Sequence, residues 1–362
     1  MKSAINNYSY INAKLRARIG VIRQSSLESD LQKAGGLVEA IGVLKDHGYD
    51  EAATAYDKTG DLQMVELALA KQLVADYRDI GRQVSDKPRD VVLCMISRLE
   101  LDNIKNAMRL WYSSAVHHRP ITYRTSYLIK EKFVNDINLL GIVNAMTYDQ
   151  IVASVAHTWY EPIFKEYDFD IIERDGLFDL ESALDRGWYA QMNKADKALD
   201  GNDKTVAVQL FNMEVDLKNL LMLVRYGWFH QMEAEKLRSL LYPYGTVYRD
   251  KGVQNYIDQK KDARDAQALL QGRYPDLAKT VQEKGVVDNK LVPLIEQTRM
   301  VEHFLVERRK ALAIRCLEGN PFTIGVALAY FYFKEAQYSM VCGILGAKYY
   351  GIADDGNKGN AS

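Results

Sequence analysis

Proline, cysteine, net charge and long apolar runs are all scarce in this chain of 362 residues, and each shortage excludes something. There are 7 prolines, where roughly 5% would be usual. Together with 26% charged residues, that scarcity favours long helices. The three cysteines, Cys94, Cys316 and Cys342, are far apart and form no CxxC pair. This argues against a disulfide framework or structural zinc site and for buried, reduced thiols. Lys and Arg number 47 against 48 Asp and Glu, a net charge of −1, so no global field draws in nucleic acid or an anionic membrane. The most apolar stretch, 326–333, runs straight into Lys334 and Glu335, far short of the roughly 18 residues a membrane span requires. The first twenty residues have Lys and Arg but no apolar core, so they do not read as a signal peptide. The expectation is a cytoplasmic protein that meets any membrane through a partner.

Catalytic signatures are missing too. Neither GxxxxGK[ST] nor GxGxxG occurs, and there is no HExxH and no Glu-x-x-His pair. No cofactor, metal or catalytic residue is assigned. His117 and His118 adjoin Arg119-Pro120, in a surface loop. Asp262 and Asp265 lie one helical turn apart within the charged run DQKKDARD, which reads as a solvated face; a magnesium pair is the alternative. The thiols of Cys94 and Cys342 sit in apolar helices with no neighbouring His or Lys to activate them.

What is present is helical periodicity. In 205–228 the apolar positions Val206, Leu210, Met213, Leu217, Leu220, Leu221 and Val224 step by three and four along one face. The same pattern predicts helices over 61–83, 88–112, 291–317 and 321–351, with Pro88 and Pro321 just inside helix starts. No alternating strand and no hairpin turn stands out, so the fold class is all-α. Breaks fall at 85–87, 118–120, 200–204, 242–245 and 319–321, and their shortness implies compact bundles. Residues 353–362 are polar and glycine-rich and are expected to be a disordered tail.

The chain also repeats itself. Asn103-Ile104-Lys105-Asn106 near the end of one long helix is matched by Asp216-Leu217-Lys218-Asn219, with 113 residues between Asn106 and Asn219. Gln337-Tyr338-Ser339-Met340 is a degraded third copy, 121 residues further on. An earlier element, 35–56, resembles 139–164, and its Tyr49 and Tyr160 are 111 residues apart. The third copy of that element is expected around 248–270. The agreement of the offsets implies three related helical units, 8–115, 119–232 and 236–352, and suggests a pseudo-threefold body.

Each motif forms a stripe: Leu99, Asn103, Asn106, Leu110; then Asn212, Asp216, Asn219, Leu223; then Phe333, Gln337, Met340, Ile344. Such amides either satisfy each other across helices and fix register, or face a cavity and a partner. Both roles stay open for Asn103, Asn106, Asp216, Asn219 and Gln337. The 23 Tyr, 10 Phe and 4 Trp cluster at helix ends and in 329–333, as core or partner surface. They lack the interleaved basic residues of a nucleic-acid stack.

These features together resemble the AC39 family: the C subunit of prokaryotic V/A-type ATPases and its counterpart, the d subunit of eukaryotic vacuolar pumps. Tyr8-Ser9-Tyr10-Ile11-Asn12-Ala13-Lys14-Leu15-Arg16 is similar to the family's opening helix. Leu101-Asp102-Asn103 with Asn106, and Glu214-Val215-Asp216 with Asn219, are similar to its two acidic/Asn motifs. Gly319-Asn320-Pro321-Phe322, Leu328-Ala329-Tyr330 and Lys334-Glu335 resemble its closing helix, but Gln337, Tyr338, Met340 and Cys342 replace the usual Glu, Ile, Asn and Arg. The likeness covers about 8–352.

The resemblance implies a funnel of three helical units and a non-catalytic, peripheral role on the cytoplasmic face of the membrane. It implies that the funnel's socket receives the central shaft, made by the D and F subunits. The funnel would rest on the proteolipid rotor ring, possibly near the membrane stator, and pass torque between ion flow and ATP synthesis or hydrolysis. The alternatives are a helical interaction scaffold without a rotary role and an all-α enzyme built on Asp262 and Asp265.

Overall fold

The structure is a computed structural model that describes residues 4–121, 124–284, 286–287, 290–291 and 294–351. The tail expected at 353–362, and residue 352 at the end of the third expected unit, lie outside the described residues. The first helices are α1 (Ala4–Gln24), α2 (Leu27–Lys33), α3 (Leu37–Asp46), α4 (Asp50–Thr59), α5 (Leu62–Gln83) and α6 (Asp86–Ala115). A series of mostly short helices follows: α7 (Leu139–Val143), α8 (Tyr148–Ser154), α9 (Glu161–Phe164), α10 (Phe169–Asp175) and the longer α11 (Phe178–Ala198). Next come α12 (Gly201–Met222), α13 (Ala234–Leu240), α14 (Lys251–Asp258), α15 (Ala266–Gln271) and α16 (Pro275–Lys284). The chain closes with α17 (Leu294–Glu318) and α18 (Gly325–Tyr349).

The described residues are thus almost wholly helical, as the periodicity requires. One small hairpin departs from expectation: β1 (Val286–Val287) pairs antiparallel with β2 (Lys290–Leu291), so Leu291 is strand and the next helix starts at Leu294. Two β-branched residues in β1 suit so short a ladder. Pro321 is also outside its expected helix, in a bend four residues before Gly325. Pro88 lies inside the first turn of α6 as expected.

By compactness the chain divides into two units: Met1–Gln191 with Val326–Ser362, and Met192–Gly325. In the first unit, α5 starts where Asp61 accepts the N–H of Gln63 at 2.9 Å, a side-chain cap. Its buried positions Leu62, Val65, Leu69, Leu73, Tyr77 and Ile80 recur every three or four residues. Leu62, Val65 and Leu69 join Leu27, Leu31, Ile41 and Leu44 from α2 and α3, and Val341 and Leu345 from α18, in one core. Trp111 of α6 is buried, and its Nε1 donates to the carbonyl of Ala145 at 3.0 Å, fixing α6 to the short helices after it. Arg98 and Lys105 reach Asp185 of α11 at 2.7 and 2.6 Å. Burial would raise that carboxyl, but the two cations hold it below its ordinary value.

The connection 116–138 is longer than the short breaks the sequence implied and carries one 3-10 turn, Arg124–Tyr127. Within it, side chains of α6 described below bind backbone groups of Ile129, Val134 and Asn135.

In the second unit Leu220, Leu223 and Val224 pack with Leu237, Val253, Ile257, Leu270, Val281 and Val301. The helix expected to run on to Trp228 changes character after Met222, where Leu223–Phe229 forms a wider π turn. His230 N–H accordingly reaches back five residues to Arg225 O at 3.0 Å. Gly227 permits the packing: a Cβ there would meet Leu237 at 2.9 Å and Tyr256 at 3.1 Å.

Candidate functional site: the polar stripe of the long helices

On α6 the working pair is Glu100 and Asn103, both buried. Asn103 Nδ2 donates to the carbonyl of Ile129 at 2.8 Å while its Oδ1 accepts the N–H of the same residue at 3.2 Å. Glu100 Oε2 accepts from the N–H groups of Val134 at 2.9 Å and Asn135 at 2.8 Å. Its Oε1 accepts from Asn135 Nδ2 at 2.6 Å and from the Tyr160 hydroxyl at 3.0 Å. A bare buried carboxylate would cost several kcal/mol; four donors offset that cost. The pair fastens the connection 116–138 along α6.

The second unit repeats the device. Asn219 is fully buried, donating to Tyr242 O at 2.9 Å and accepting from Tyr242 N–H at 2.8 Å. Half-buried Asp216 accepts from Thr246 N–H at 2.7 Å, Thr246 Oγ1 at 2.6 Å and Val247 N–H at 2.7 Å. Gly245 makes room for it: φ is +71°, and a Cβ would stand 2.2 Å from Asp216 Oδ1.

These bonds correct the register of the repeat. The counterpart of Asn219 is Asn103, 116 residues earlier, and that of Asp216 is Glu100. The sequence match pairs Asn219 with Asn106, one helical turn from the residue that bonds as Asn219 does. Asn106 is exposed, and its Oδ1 accepts from Arg109 Nη1, at 3.3 Å.

Gln337 completes the series. Its Oε1 accepts from the Tyr49 hydroxyl at 3.0 Å, just as Glu100 accepts from Tyr160. Tyr49 and Tyr160 stand immediately before α4 and α9, and Tyr274 stands immediately before α16. Burial, then the charge of Asp216, raises the Tyr274 hydroxyl. Tyr274 lies 114 residues after Tyr160, just beyond the 248–270 expected for the third early element. Met340 occupies the place of Asn103 and Asn219. Burial, reinforced by Asp76, pushes Tyr49 up to about 12.

All four members of the first stripe, Leu99, Asn103, Asn106 and Leu110, line one open cleft of about 520 Å³ in the first unit. Glu66 and Leu67 of α5 face them, with Asp102, Arg109 and Arg124 at its edges and Tyr338 of α18 closing one side. Burial, with the charge of Asp61, raises the Glu66 carboxyl. Arg109 is held as a fork by Glu181, at 2.7 Å to each oxygen. A lining that mixes apolar, amide and charged side chains is compatible with a protein-binding surface.

The other candidates resolve into local structure. Asp265 caps α15 through Gln267 N–H at 2.9 Å, and Asp262 lies in a separate exposed turn. His117 stacks edge-on against Tyr112. Among the described residues no group of three or more His, Cys, Asp or Glu is placed to hold a metal ion. None of the three cysteines forms a disulfide, and burial raises Cys316 to about 11 and Cys342 to about 12. No described helix is long and apolar enough to cross a membrane. Sequence reasoning missed Glu100 and Tyr274. It also missed Asp196, buried with no partner for either oxygen and raised by burial to about 7. The Tyr–acidic spacing Tyr49-Asp50, Tyr160-Glu161 and Tyr274-Pro275-Asp276 was the available signal for Tyr274.

Comparison with known proteins gives a consistent result. The family model for the ATP synthase (C/AC39) subunit matches residues 11–357. The chain is 24% identical to the C subunit of the A-type ATP synthase of Methanosarcina mazei, over 66% of this chain and 64% of the relative. It is 21% identical to that of Methanocaldococcus jannaschii, over 94% of this chain and 82% of the relative. It is 22% identical to that of Pyrococcus abyssi, over 91% and 83%.

Proposed function

The chain belongs to the ATP synthase (C/AC39) subunit family, and from that membership we propose that it is a non-catalytic coupling component of a V/A-type rotary ATPase. It sits on the cytoplasmic face of the membrane, between the proteolipid rotor ring and a central shaft made by the D and F subunits. It transmits torque between ion flow and ATP synthesis or hydrolysis. Three related helical units, 8–115, 119–232 and 236–352, form a funnel in this proposal, and the stripe residues Asn103, Asn106, Asp216, Asn219 and Gln337 belong to its walls.

The observation that carries the proposal is the family match along nearly the whole chain. The physical character of the molecule supports it. A torque adaptor requires stiff segments and few slack connections, and buried carboxylate and asparagine side chains hold two connections to α6 and α12. The cleft on the first unit supplies a contact surface of mixed polarity.

Membranes from a strain lacking this chain test the proposal. ATP hydrolysis by the soluble motor is expected to persist while ATP-driven ion pumping is lost, and the full chain added back is expected to restore pumping. Hydrolysis that stays fully coupled to pumping without the chain would overturn it.

A further inference from the structure

The three helices that carry the stripe, α6, α12 and α18, end differently, and the difference singles out α18. On α6 and α12 the acid–Asn pairs hold chain that comes later in sequence, 129–135 after α6 and 242–247 after α13. On α18 the equivalent positions are Gln337 and Met340, and the segment packed against them, 27–69, lies at the opposite end of the chain sequence. Polar contacts there include Tyr49 to Gln337 and Lys348 Nζ to the carbonyls of Ala34 at 2.5 Å and Gln32 at 3.3 Å. A neutral amide stands where the others have a carboxylate.

Packing differs in the same direction. Take the nine residues that follow Asn103, Asn219 and Met340. On α6 (104–112) five are buried, on α12 and its π turn (220–228) four, and on α18 (341–349) two, Val341 and Leu345. Helix stiffness follows. α6 has no glycine, and Gly227 in the π turn is packed tightly. The end of α18 carries Gly343 and Gly346, and a Cβ at either would meet nothing within 4 Å. Such glycines weaken a helix without serving its packing. The first half of α18 is anchored instead: Tyr77 donates to the carbonyl of Phe331 at 3.1 Å, and Lys334 meets Asp76 at 3.3 Å.

We propose that the end of α18, residues 341–349, is a releasable latch: it undocks from α2–α4 as a local event while the start of the helix stays fixed on α5. Undocking uncovers the apolar side chains of Leu27, Leu31, Ile41 and Leu44. This device is independent of the rotary assignment, since it is read from contacts within the first unit.

Amide hydrogen exchange on the full chain tests the latch. Amides of 341–349 are expected to exchange at least tenfold faster than those of 104–112 and 220–228, and the amides of α2 and α3 to share their opening rate. Equal or greater protection at 341–349 would overturn the proposal. The double variant Gly343→Ala, Gly346→Ala fits the open space around both residues. It is expected to slow exchange at 341–349 by roughly fivefold to thirtyfold and to leave 104–112 and 220–228 unchanged. No change at 341–349, or the same change in all three helices, would show that no local release exists there.

Discussion

Tyr49 and Gln337, 288 residues apart in sequence, are joined by a hydroxyl-to-amide hydrogen bond of 3.0 Å. A hydroxyl bond of the same length joins Tyr160 to Glu100. Tyr274 stands in the same position before its helix, within reach of the charge of Asp216. The pairing is staggered: α6 serves the segment that follows it, α12 does likewise, and α18 serves the first segment of the chain. Asn103 and Asn219 each grip a peptide later in the chain, Ile129 and Tyr242. Met340, at the corresponding place on α18, packs, partly buried, against the apolar core.

Asn219→Ala leaves both the N–H and the carbonyl of Tyr242 without their partner in a buried site. It is expected to cost about 2–4 kcal/mol of unfolding free energy. Asn106→Ala removes an exposed amide and is expected to cost less than about 0.5 kcal/mol. Urea melts of the two variants compare them. Equal losses would show that the motif's register had been assigned one turn wrong.

Gly245→Ala places a Cβ against the carboxylate of Asp216 on a backbone of φ +71°. It is expected to cost about 2 kcal/mol or more. Asp216→Ala alone gives up three hydrogen bonds to Thr246 and Val247 and is expected to cost about 1–3 kcal/mol. Because the clash needs the carboxylate, the double variant should cost less than the two single losses together. Strict additivity in the double-mutant cycle would mean that backbone strain alone makes Gly245 necessary.

Burial raises the thiols of Cys316 and Cys342 to about 11 and 12. At pH 8 the folded chain is therefore expected to react with a thiol reagent far more slowly than the chain in concentrated urea. Rapid labelling of either cysteine in the folded chain would contradict this.

Periodicity carries the long helices well, because apolar spacing at three and four is a property of each helix alone. It places α5 within one residue at its start and recovers most of α6, α12 and α18. The connection 116–138 was less legible because its backbone is bound by Glu100 and Asn103, side chains on another element. Glu100 looks like any helical surface acid, and its burial depends on where residues 134, 135 and 160 arrive. The confusion of Asn103 with Asn106 has a similar cause. Residues one turn apart share a helix face, so the pattern alone does not say which amide meets a peptide. Tyr274 escaped notice because the short helices α14 and α15 precede it where the first two copies have a different spacing.

Asp196 gives the chain a pH dependence opposite in sign to that of Asp185. Neither oxygen of Asp196 has a hydrogen-bond partner, and burial lifts the carboxyl from 3.8 to about 7. The folded state then holds a proton that the unfolded state releases at lower pH. Stability from this group is full below about pH 4, declines as the pH rises toward 7, and stays low above that. The change amounts to roughly 4 kcal/mol, at about 1.4 kcal/mol for each pKa unit. Asp185, held low by Arg98 and Lys105, contributes stability that is lost as the pH falls through its folded value. Asp196→Asn is expected to remove most of the first dependence and to stabilise the chain at pH 8 by a few kcal/mol. Urea melts at pH 5, 6.5 and 8 on both proteins check it. A variant that is less stable than the parent at pH 8 would show that the Asp196 carboxylate is stabilised in the folded chain.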